Sequence, residues 1–181
     1  MSVSETAHLG QAVLVELVRR APVPPGRTTL MKFAYLLQVI RKVPLGYRFR
    51  LYNYGPYDQQ VLADAREAEA NDLLQSKLVT FPKGGYGYEF LPSEESAKIH
   101  SEAVSQCEND ITWVLDQFGE ESASRLELIS TLVFACCGES GRLDKSQLVD
   151  RVHEIKPHFT KMQIGDTADE ISELLNCVDC S

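Results

Sequence analysis

Two thiols near the end of the chain have the spacing most suggestive of chemistry. Cys177 and Cys180 are separated by two residues, as in many redox and zinc sites. The pattern predicts no helix after them to lower a thiol pKa, and no second pair stands at zinc spacing. Cys136-Cys137 is predicted to lie on an apolar helix, where cysteine usually acts as a small hydrophobe. We predict no metal site and no cofactor, and a metal- or redox-responsive role for Cys177 and Cys180 stays open.

The sequence carries none of the familiar catalytic motifs. Its four histidines are scattered and never form His-Glu-x-x-His, and there is no Gly-rich phosphate loop or Gly-x-Ser-x-Gly elbow. Gly84-Gly85-Tyr86-Gly87 lacks the strand–turn–helix context of a nucleotide site and is more typical of a hairpin turn. We therefore predict that the chain is not an enzyme.

A segment of alternating character, residues 47–54, holds the clearest candidate binding residues. At the period of a strand, Tyr47, Phe49 and Leu51 share one face. The opposite face carries the polar and aromatic residues Arg48, Arg50, Tyr52 and Tyr54. One strand thus combines a face suited to a core with a face suited to recognition.

The end of this strand is marked by Gly55-Pro56, because proline cannot donate to a ladder and restricts the residue before it. Asp58 follows as a candidate N-cap of the next helix. Tyrosine and arginine are the residue types enriched at interface hot spots. We therefore predict a partner-binding surface made of Arg48, Arg50, Tyr52, Tyr54 and Tyr57. In the alternative interpretation these residues are scaffold, and the two arginines pair with carboxylates of the neighbouring helix.

Hydrophobic periodicity organises the first half around one buried helix. The pattern predicts three helices and a hairpin, with helices near residues 5–20, 28–41 and 58–73 and strands near 78–81 and 86–91. The middle helix is apolar almost all round apart from Lys32 and Gln38, so we expect several neighbours to bury it. Three helices followed by a hairpin is the layout of a winged helix.

The second half is predicted to be helical. A long helix begins at Ser93, and shorter helices follow capping patterns at Ser124, Asp144 and Thr160. We predict a mainly α fold with a small β component. Its two parts are a winged-helix-like N-terminal core in residues 1–92 and an acidic C-terminal helical region in residues 93–181, packed together as one unit.

Charge is divided unevenly along the chain, whose formal net charge is −8. Residues 1–90 carry 11 Lys and Arg against 8 Asp and Glu, a balance of +3, whereas residues 91–181 carry 7 against 18, a balance of −11. Solvated helix faces often drift this far by chance, but the split also suggests two surfaces with different tasks.

The composition favours a cytoplasmic protein. No apolar run reaches the roughly 18 residues of a membrane span, so we predict no membrane partner. The N-terminus lacks the basic start and apolar core of a secretion signal. The five cysteines, an odd number, are not the pattern of a disulfide framework. A reducing compartment is therefore expected.

Nucleic acid is the second candidate partner, since the first half is basic and has a winged-helix layout. The cations that could face phosphates are Arg27, Lys32, Arg41, Lys42, Arg48, Arg50 and Lys83. The helix in the recognition position opposes this, because it carries five carboxylates against Arg66 alone. A phosphate-lined groove would repel such a surface. DNA binding is therefore predicted to be the less favoured function.

Two short motifs give the chain a family resemblance. Residues 30–37, LMKFAYLL, precede a strand that ends in Tyr54-Gly55-Pro56-Tyr57. This arrangement resembles the Panacea-type, SocA-like antitoxin domains of bacteria and phages, over about residues 8–92 and more loosely over the remainder. In the remainder, residues 154–159, EIKPHF, also look like a segment of some of these relatives. The resemblance implies that Lys32, Tyr35, Gly55 and Pro56 form the structural motif, together with Asp58, where relatives often have Ser. It also implies a protein that binds a partner, often a toxin, and neutralises it or delivers it to a protease.

The function predicted from the sequence is therefore a non-enzymatic regulatory module that binds a protein partner, either antitoxin-like or a proteolytic adaptor. The alternative is a winged-helix DNA-binding transcriptional regulator. The sequence makes no prediction of oligomeric state.

Overall fold

The computed structural model describes residues 3–80, 84–98, 102–138 and 141–180. In these ranges the chain is mainly helical with a small β component, which confirms the predicted fold class. The helices are α1 (Val3–Arg20), α2 (Arg27–Ile40), α3 (Gln59–Ala70), α4 (Glu102–Gln106), α5 (Glu108–Phe118), α6 (Ala123–Ala135), α7 (Lys145–Ile155), α8 (Lys161–Glu170) and α9 (Ser172–Asn176). The strands are β1 (Arg50–Tyr52), β2 (Gly55–Tyr57), β3 (Leu74–Thr80), β4 (Tyr86–Pro92), β5 (Cys137–Gly138) and β6 (Gly141–Arg142).

The described strands pair as three antiparallel hairpins, β1–β2, β3–β4 and β5–β6. The helices and final hairpin of the winged-helix layout are therefore present, although β1 pairs with β2 instead of joining β3 and β4. The β3–β4 hairpin is longer than predicted, and Pro82-Lys83 of its expected turn lies outside the described residues.

The strand predicted over residues 47–54 was too long, because only Arg50–Tyr52 pairs with another strand, β2. In the hairpin, Arg50 lies opposite Tyr57 and Tyr52 lies opposite Gly55. The backbone of Tyr47 instead bonds to the side chain of Gln38, with its N–H 3.0 Å from Oε1 and its carbonyl 2.8 Å from Nε2. Gly-Pro also does not end the strand segment but forms the second strand of the hairpin, where proline is tolerated because the hairpin has open edges.

Helix α2 is the centre of the hydrophobic core, as its apolar pattern predicts. Leu30, Phe33, Leu36 and Leu37 are fully buried. The helix packs against α1, α3, α5 and α6, so neighbours cover it on several sides. The elements of residues 1–92 and 93–181 thus contribute to the same buried cluster, and the division at residue 92 stays a prediction.

The prediction of one long helix beginning at Ser93 was wrong. The described chain forms a 3₁₀ turn, Glu95–Lys98, and then the separate helices α4 and α5. The Ser93 side chain accepts from the N–H groups of Glu95 and Ser96, which starts the 3₁₀ turn. Cys107, with φ −101° and ψ 4°, separates α4 from α5. The bend lets α4 and α5 both pack on α1.

The capping predictions were partly confirmed. Asp144 and Thr160 cap α7 and α8, each in a reciprocal capping box. The cap predicted at Ser124 was wrong, because α6 begins two residues earlier than that cap implies and its N-cap is Ser122, whose hydroxyl accepts from Arg125 N–H at 3.1 Å. Among the described helices, none has both the length and the apolar composition needed to cross a bilayer.

Candidate functional site

The β1–β2 hairpin presents two exposed tyrosines at its tip. Tyr52 and Tyr54 are 62% and 65% exposed. Gly55 follows with φ +84°, a conformation that L side chains rarely adopt. A Cβ on Gly55 would lie 2.9 Å from Thr131 Oγ1, so this glycine lets the hairpin lie directly on α6. The tyrosines at the tip are therefore exposed, whereas Gly55 and Pro56 of β2 are buried against the rest of the chain.

A buried lysine of α2 bonds to the backbone of strand β2. Lys32 of α2 is 1% exposed, and its Nζ donates to the carbonyl of Pro56 at 2.6 Å. Burial is the largest cause of the lowered pKa of Lys32, which falls from 10.5 to about 8. The charge of Lys156 lowers this pKa further, whereas the carboxylate of Glu127 raises it. The site therefore contains a lysine whose charge is destabilised by its surroundings.

A second buried lysine approaches the hairpin from the other side. Lys156, directly after α7, lies 2.7 Å from Glu127 Oε1, and both side chains are almost fully buried. Its Nζ also donates to the carbonyls of Asn53 and Tyr52, at 3.5 Å for the latter. We name Lys32, Glu127 and Lys156 the charge cluster. Through these contacts the charge cluster binds backbone carbonyls on both strands of the hairpin.

Two clefts flank the tyrosines at the tip. The first, of about 210 Å³, lies between the hairpin and α2 and is lined by Arg27, Thr28, Met31, Lys32, Tyr52, Tyr54, Gly55, Tyr57 and Leu62. The second, of about 640 Å³, lies between the hairpin and the end of α7 and is lined by Leu51, Tyr52, Asn53, Tyr54, Glu127, Ile155, Lys156 and His158. Tyr52 and Tyr54 line both clefts and separate them.

The structure brings the five predicted binding residues onto one connected surface. Arg48 and Arg50 line a third cleft of about 490 Å³, which also contains Tyr52 and Tyr57. The rings of Tyr52 and Tyr57 have centroids 5.5 Å apart. We name Arg48, Arg50, Tyr52, Tyr54 and Tyr57 the hairpin surface. Their role in binding stays a prediction.

The alternative role of the two arginines is not favoured by their contacts. Within the described ranges, the guanidinium groups of Arg48 and Arg50 form no ion pair with a carboxylate. The neighbouring Asp58 instead accepts from the backbone N–H of Arg48 and from Gln60 N–H at 2.9 Å. Asp58 thereby caps α3, as predicted. The arginine charges of the hairpin surface therefore remain available to a partner.

The remaining motif residues are structural. Tyr35 is buried, and its ring packs edge-on against Phe49 with centroids 5.1 Å apart. Burial raises the pKa of Tyr35 well above its usual range, and the neighbouring Cys136 raises it further. Pro56 is buried and supplies the carbonyl that Lys32 binds. Lys32 and Tyr35 thus support the hairpin from α2.

Sequence reasoning missed the contribution of the second half to this site. Glu127 and Lys156 contact the hairpin or its supporting lysine, and His158 Nε2 lies 3.7 Å from Glu127 Oε1. A signal was present, because Glu127 is the one carboxylate within the otherwise largely apolar helix α6, and Lys32 is the one cation of α2 beyond its first residue, Arg27. Charges of opposite sign on two buried helices indicate a buried electrostatic contact.

The candidates for phosphate binding are mostly occupied elsewhere. Lys32 is buried, Arg41 lies 2.7 Å from Asp110, and Lys42 lies 2.6 Å from Asp179. Arg27 lies over the Tyr88 ring, 4.7 Å from its centroid. Lys83 lies outside the described residues. These contacts leave Arg48 and Arg50 as the available cations of that predicted set among the described residues.

The cysteines are arranged differently from the expected pattern. Cys180 forms a disulfide with Cys137, although the sequence predicted no disulfide framework. Cys177 is exposed and free, and its Sγ lies 3.3 Å from the carbonyl of Glu173. Helix α6 ends at Ala135, so Cys137 falls in β5 and not on the apolar helix. Sequence spacing missed this pair because its members are 43 residues apart.

No known protein family matches the chain, and no curated protein shows significant sequence similarity to it. The resemblance to Panacea-type antitoxin domains therefore stays a prediction.

Proposed function

We propose that this chain is a non-enzymatic regulatory module that binds a protein partner through the hairpin surface. The observation that carries this proposal is the pair of exposed tyrosines on a hairpin whose backbone carbonyls are bound by Lys32 and Lys156 of the charge cluster. Large aromatic side chains next to concave clefts are typical of interface hot spots. The antitoxin-like or adaptor form of this role is what the family resemblance implies, and the cytoplasm is the compartment that the composition favours.

A fixed hairpin favours binding for an energetic reason. Association costs free energy when loops and side chains must be ordered. The carbonyls of Asn53 and Pro56 are already bound by Lys156 and Lys32, so the backbone of the tip is ordered before a partner arrives. Binding then has to order mainly the two tyrosine side chains, which have few rotatable bonds.

The partner should have matching chemistry. Arg48 and Arg50 provide exposed positive charge beside the aromatic tip. A partner with acidic side chains around an apolar side chain would complement this surface, since charge complementarity favours encounter and correct orientation. The clefts beside Tyr52 and Tyr54 would take the apolar side chain.

Affinity capture from the native host tests the proposal. We expect Tyr54→Ala and Arg50→Ala each to weaken capture of the partner by about 1–4 kcal/mol while melting like wild type. Tyr86→Ala is the matched control, because Tyr86 is 75% exposed on a different hairpin. Equal capture by all variants, or a loss at Tyr86→Ala as large as at Tyr54→Ala, would remove the hairpin surface from consideration.

Duplex DNA is the alternative partner, and a gel shift at about 50 mM salt tests it where phosphate contacts are strongest. We expect no sequence-specific complex, because the accessible charges of α3 are Glu67 and half-buried Glu69 against Arg66, a negative balance. The repulsion is weaker than the sequence predicted, since Asp64 is buried and Asp58 caps the helix. A specific footprint that weakens on Arg48→Ala would favour the DNA-binding interpretation instead.

A further inference from the structure

Three cysteine sulfurs, two of them joined as the Cys137–Cys180 disulfide, converge where the C-terminal segment meets the end of α6. The Sγ atoms of Cys136, Cys137 and Cys180 all lie within 4.8 Å of one another. Cys136 follows the last residue of α6, Cys137 lies in β5, and Cys180 follows α9. Cys136 is buried and the other two are half-buried. This cluster lies apart from the hairpin surface, and the proposed function does not use it.

The separation of the sulfurs matches that of thiolates on a shared metal ion. A Zn–S bond is about 2.3 Å long, so two thiolates on a tetrahedral zinc lie about 3.8 Å apart. The sulfurs of Cys136 and Cys137 lie 3.7 Å apart. A metal ion can therefore join these two thiolates without a change in the distance between them.

Two arginines hold the surrounding backbone. Arg142 donates to the carbonyls of Leu175 and Val178, at 2.7 Å for the latter. Arg151 donates to the carbonyl of Cys137 at 2.9 Å. These contacts do not depend on any bond between sulfurs, so Cys180 stays near the other two thiols when no disulfide is present. The guanidinium groups also offset the negative charge that three thiolates would bring around a dication.

We propose that Cys136, Cys137 and Cys180 form, when reduced, a binding site for a soft divalent cation of the zinc type. Thiolates favour soft metal ions over hard ones such as Mg²⁺. Three protein ligands leave one position of a tetrahedral zinc open to water, as in sites that are not closed by a fourth side chain. The notable difference from the sequence pattern is that Cys137 and Cys136, and not Cys177, accompany Cys180.

The disulfide between Cys137 and Cys180 is the oxidised, metal-free state of this site. A dithiol reductant opens it by transferring two electrons to the S–S bond and one proton to each sulfur. The dithiol becomes a disulfide, and the chain gains two thiols next to Cys136. Zn²⁺ then replaces the thiol protons, which pass to solvent. The site is therefore expected to bind metal only after reduction.

Metal titration of the full chain tests this proposal. Protein reduced with a dithiol, and then freed of reductant without oxygen, is titrated with Zn²⁺ against a chromophoric chelator. We expect one equivalent to bind, and we expect Cys180→Ser and Cys137→Ser to weaken binding at least tenfold. Cys177→Ser is the matched control and should bind like wild type. A Co²⁺-loaded sample should show a thiolate-to-metal charge-transfer band that Cys180→Ser loses.

Several results would overturn the site. Absence of zinc binding by the reduced wild type would do so, as would full binding by Cys180→Ser. A loss at Cys177→Ser equal to that at Cys180→Ser would assign the metal to the terminal pair instead. Cys180 is the informative position because its side chain is half-buried near the end of the chain. Under reducing conditions, where the Cys137–Cys180 disulfide is absent from wild type as well, thermal melts of Cys180→Ser and Cys177→Ser should agree.

Discussion

At Gly55 two separate constraints meet, one on the backbone angle and one on space. Its φ is +84°, and a Cβ would lie 2.9 Å from Thr131 Oγ1. Gly85 has nearly the same angle, +87°, but nothing lies within 4 Å of its Cβ position. The two glycines therefore allow the cost of the angle to be separated from the cost of the contact.

We expect Gly55→Ala to lower the free energy of unfolding by about 2–4 kcal/mol, through backbone strain and crowding against α6. Gly85→Ala should cost about 1 kcal/mol, from the angle alone. Urea unfolding of both variants measures the difference. Equal costs would mean that the hairpin does not lie tightly on α6.

The ionisation of Lys32 links stability to pH. Its pKa is about 8 in the folded chain and 10.5 as the ordinary value. Between these values the unfolded chain binds more protons, so the free energy of unfolding rises with pH. The penalty for burying the charge is complete below about pH 8 and is relieved as the pH rises above it. The neutral amine can still donate to Pro56.

Urea unfolding of wild type and Lys32→Met at about pH 8, 9 and 9.5 measures this link. We expect the wild-type value minus the variant value to rise by up to about 1.4 kcal/mol per pH unit. Taking the difference removes the contributions of titrating groups that do not interact with Lys32. A difference that is flat with pH would show that Lys32 keeps an ordinary pKa.

At the scale of elements, the start of α6 offers a direct comparison of two serines. Ser122 caps the helix by accepting from Arg125 N–H, whereas Ser124 is exposed in the first turn. We expect Ser122→Ala to lower the free energy of unfolding by about 1 kcal/mol. Ser124→Ala should change it by less than about 0.5 kcal/mol, because alanine favours helices. Thermal or urea unfolding of the pair is the measurement, and a larger loss at Ser124 would place the cap there.

Predictions from the sequence were correct where residues close together in the chain determine the structure. The alternation over residues 47–54 correctly separated buried Tyr47 from exposed Tyr52 and Tyr54. Caps at Asp58, Asp144 and Thr160 were correct because a capping bond involves residues only two or three positions apart. Predictions of length were poorer. The strand is short because Gln38, nine residues before Tyr47 and on helix α2, binds the backbone of Tyr47 where a partner strand would otherwise bond.

At the scale of the whole molecule, cations of the basic first half form ion pairs with carboxylates of the acidic second half. Three cations of the basic first half lie close to carboxylates of the acidic second half: Arg20 with Glu108 at 3.6 Å, Arg41 with Asp110 at 2.7 Å and Lys42 with Asp179 at 2.6 Å. Exposed pairs of this kind contribute about 0–1 kcal/mol each. The asymmetry therefore helps to orient the halves more than it stabilises them.

The candidate site could be predicted only in part, because some of its residues come from segments that are distant in the sequence. The hairpin surface comes from one segment, so its residue types were visible together in the sequence. The charge cluster combines Lys32, Glu127 and Lys156 from three distant segments, and only the packing of α2 against α6 brings them together. The Cys137–Cys180 disulfide depends on tertiary structure in the same way.

Hydrogen exchange of the chain, alone and with its captured partner, tests the central claim most directly. It reports which backbone amides a bound partner covers or stabilises. We predict slower exchange in peptides that cover residues 50–57, with no change in peptides that cover α8. Slower exchange confined to α8, with residues 50–57 unchanged, would contradict the account and place the binding site on the acidic helices.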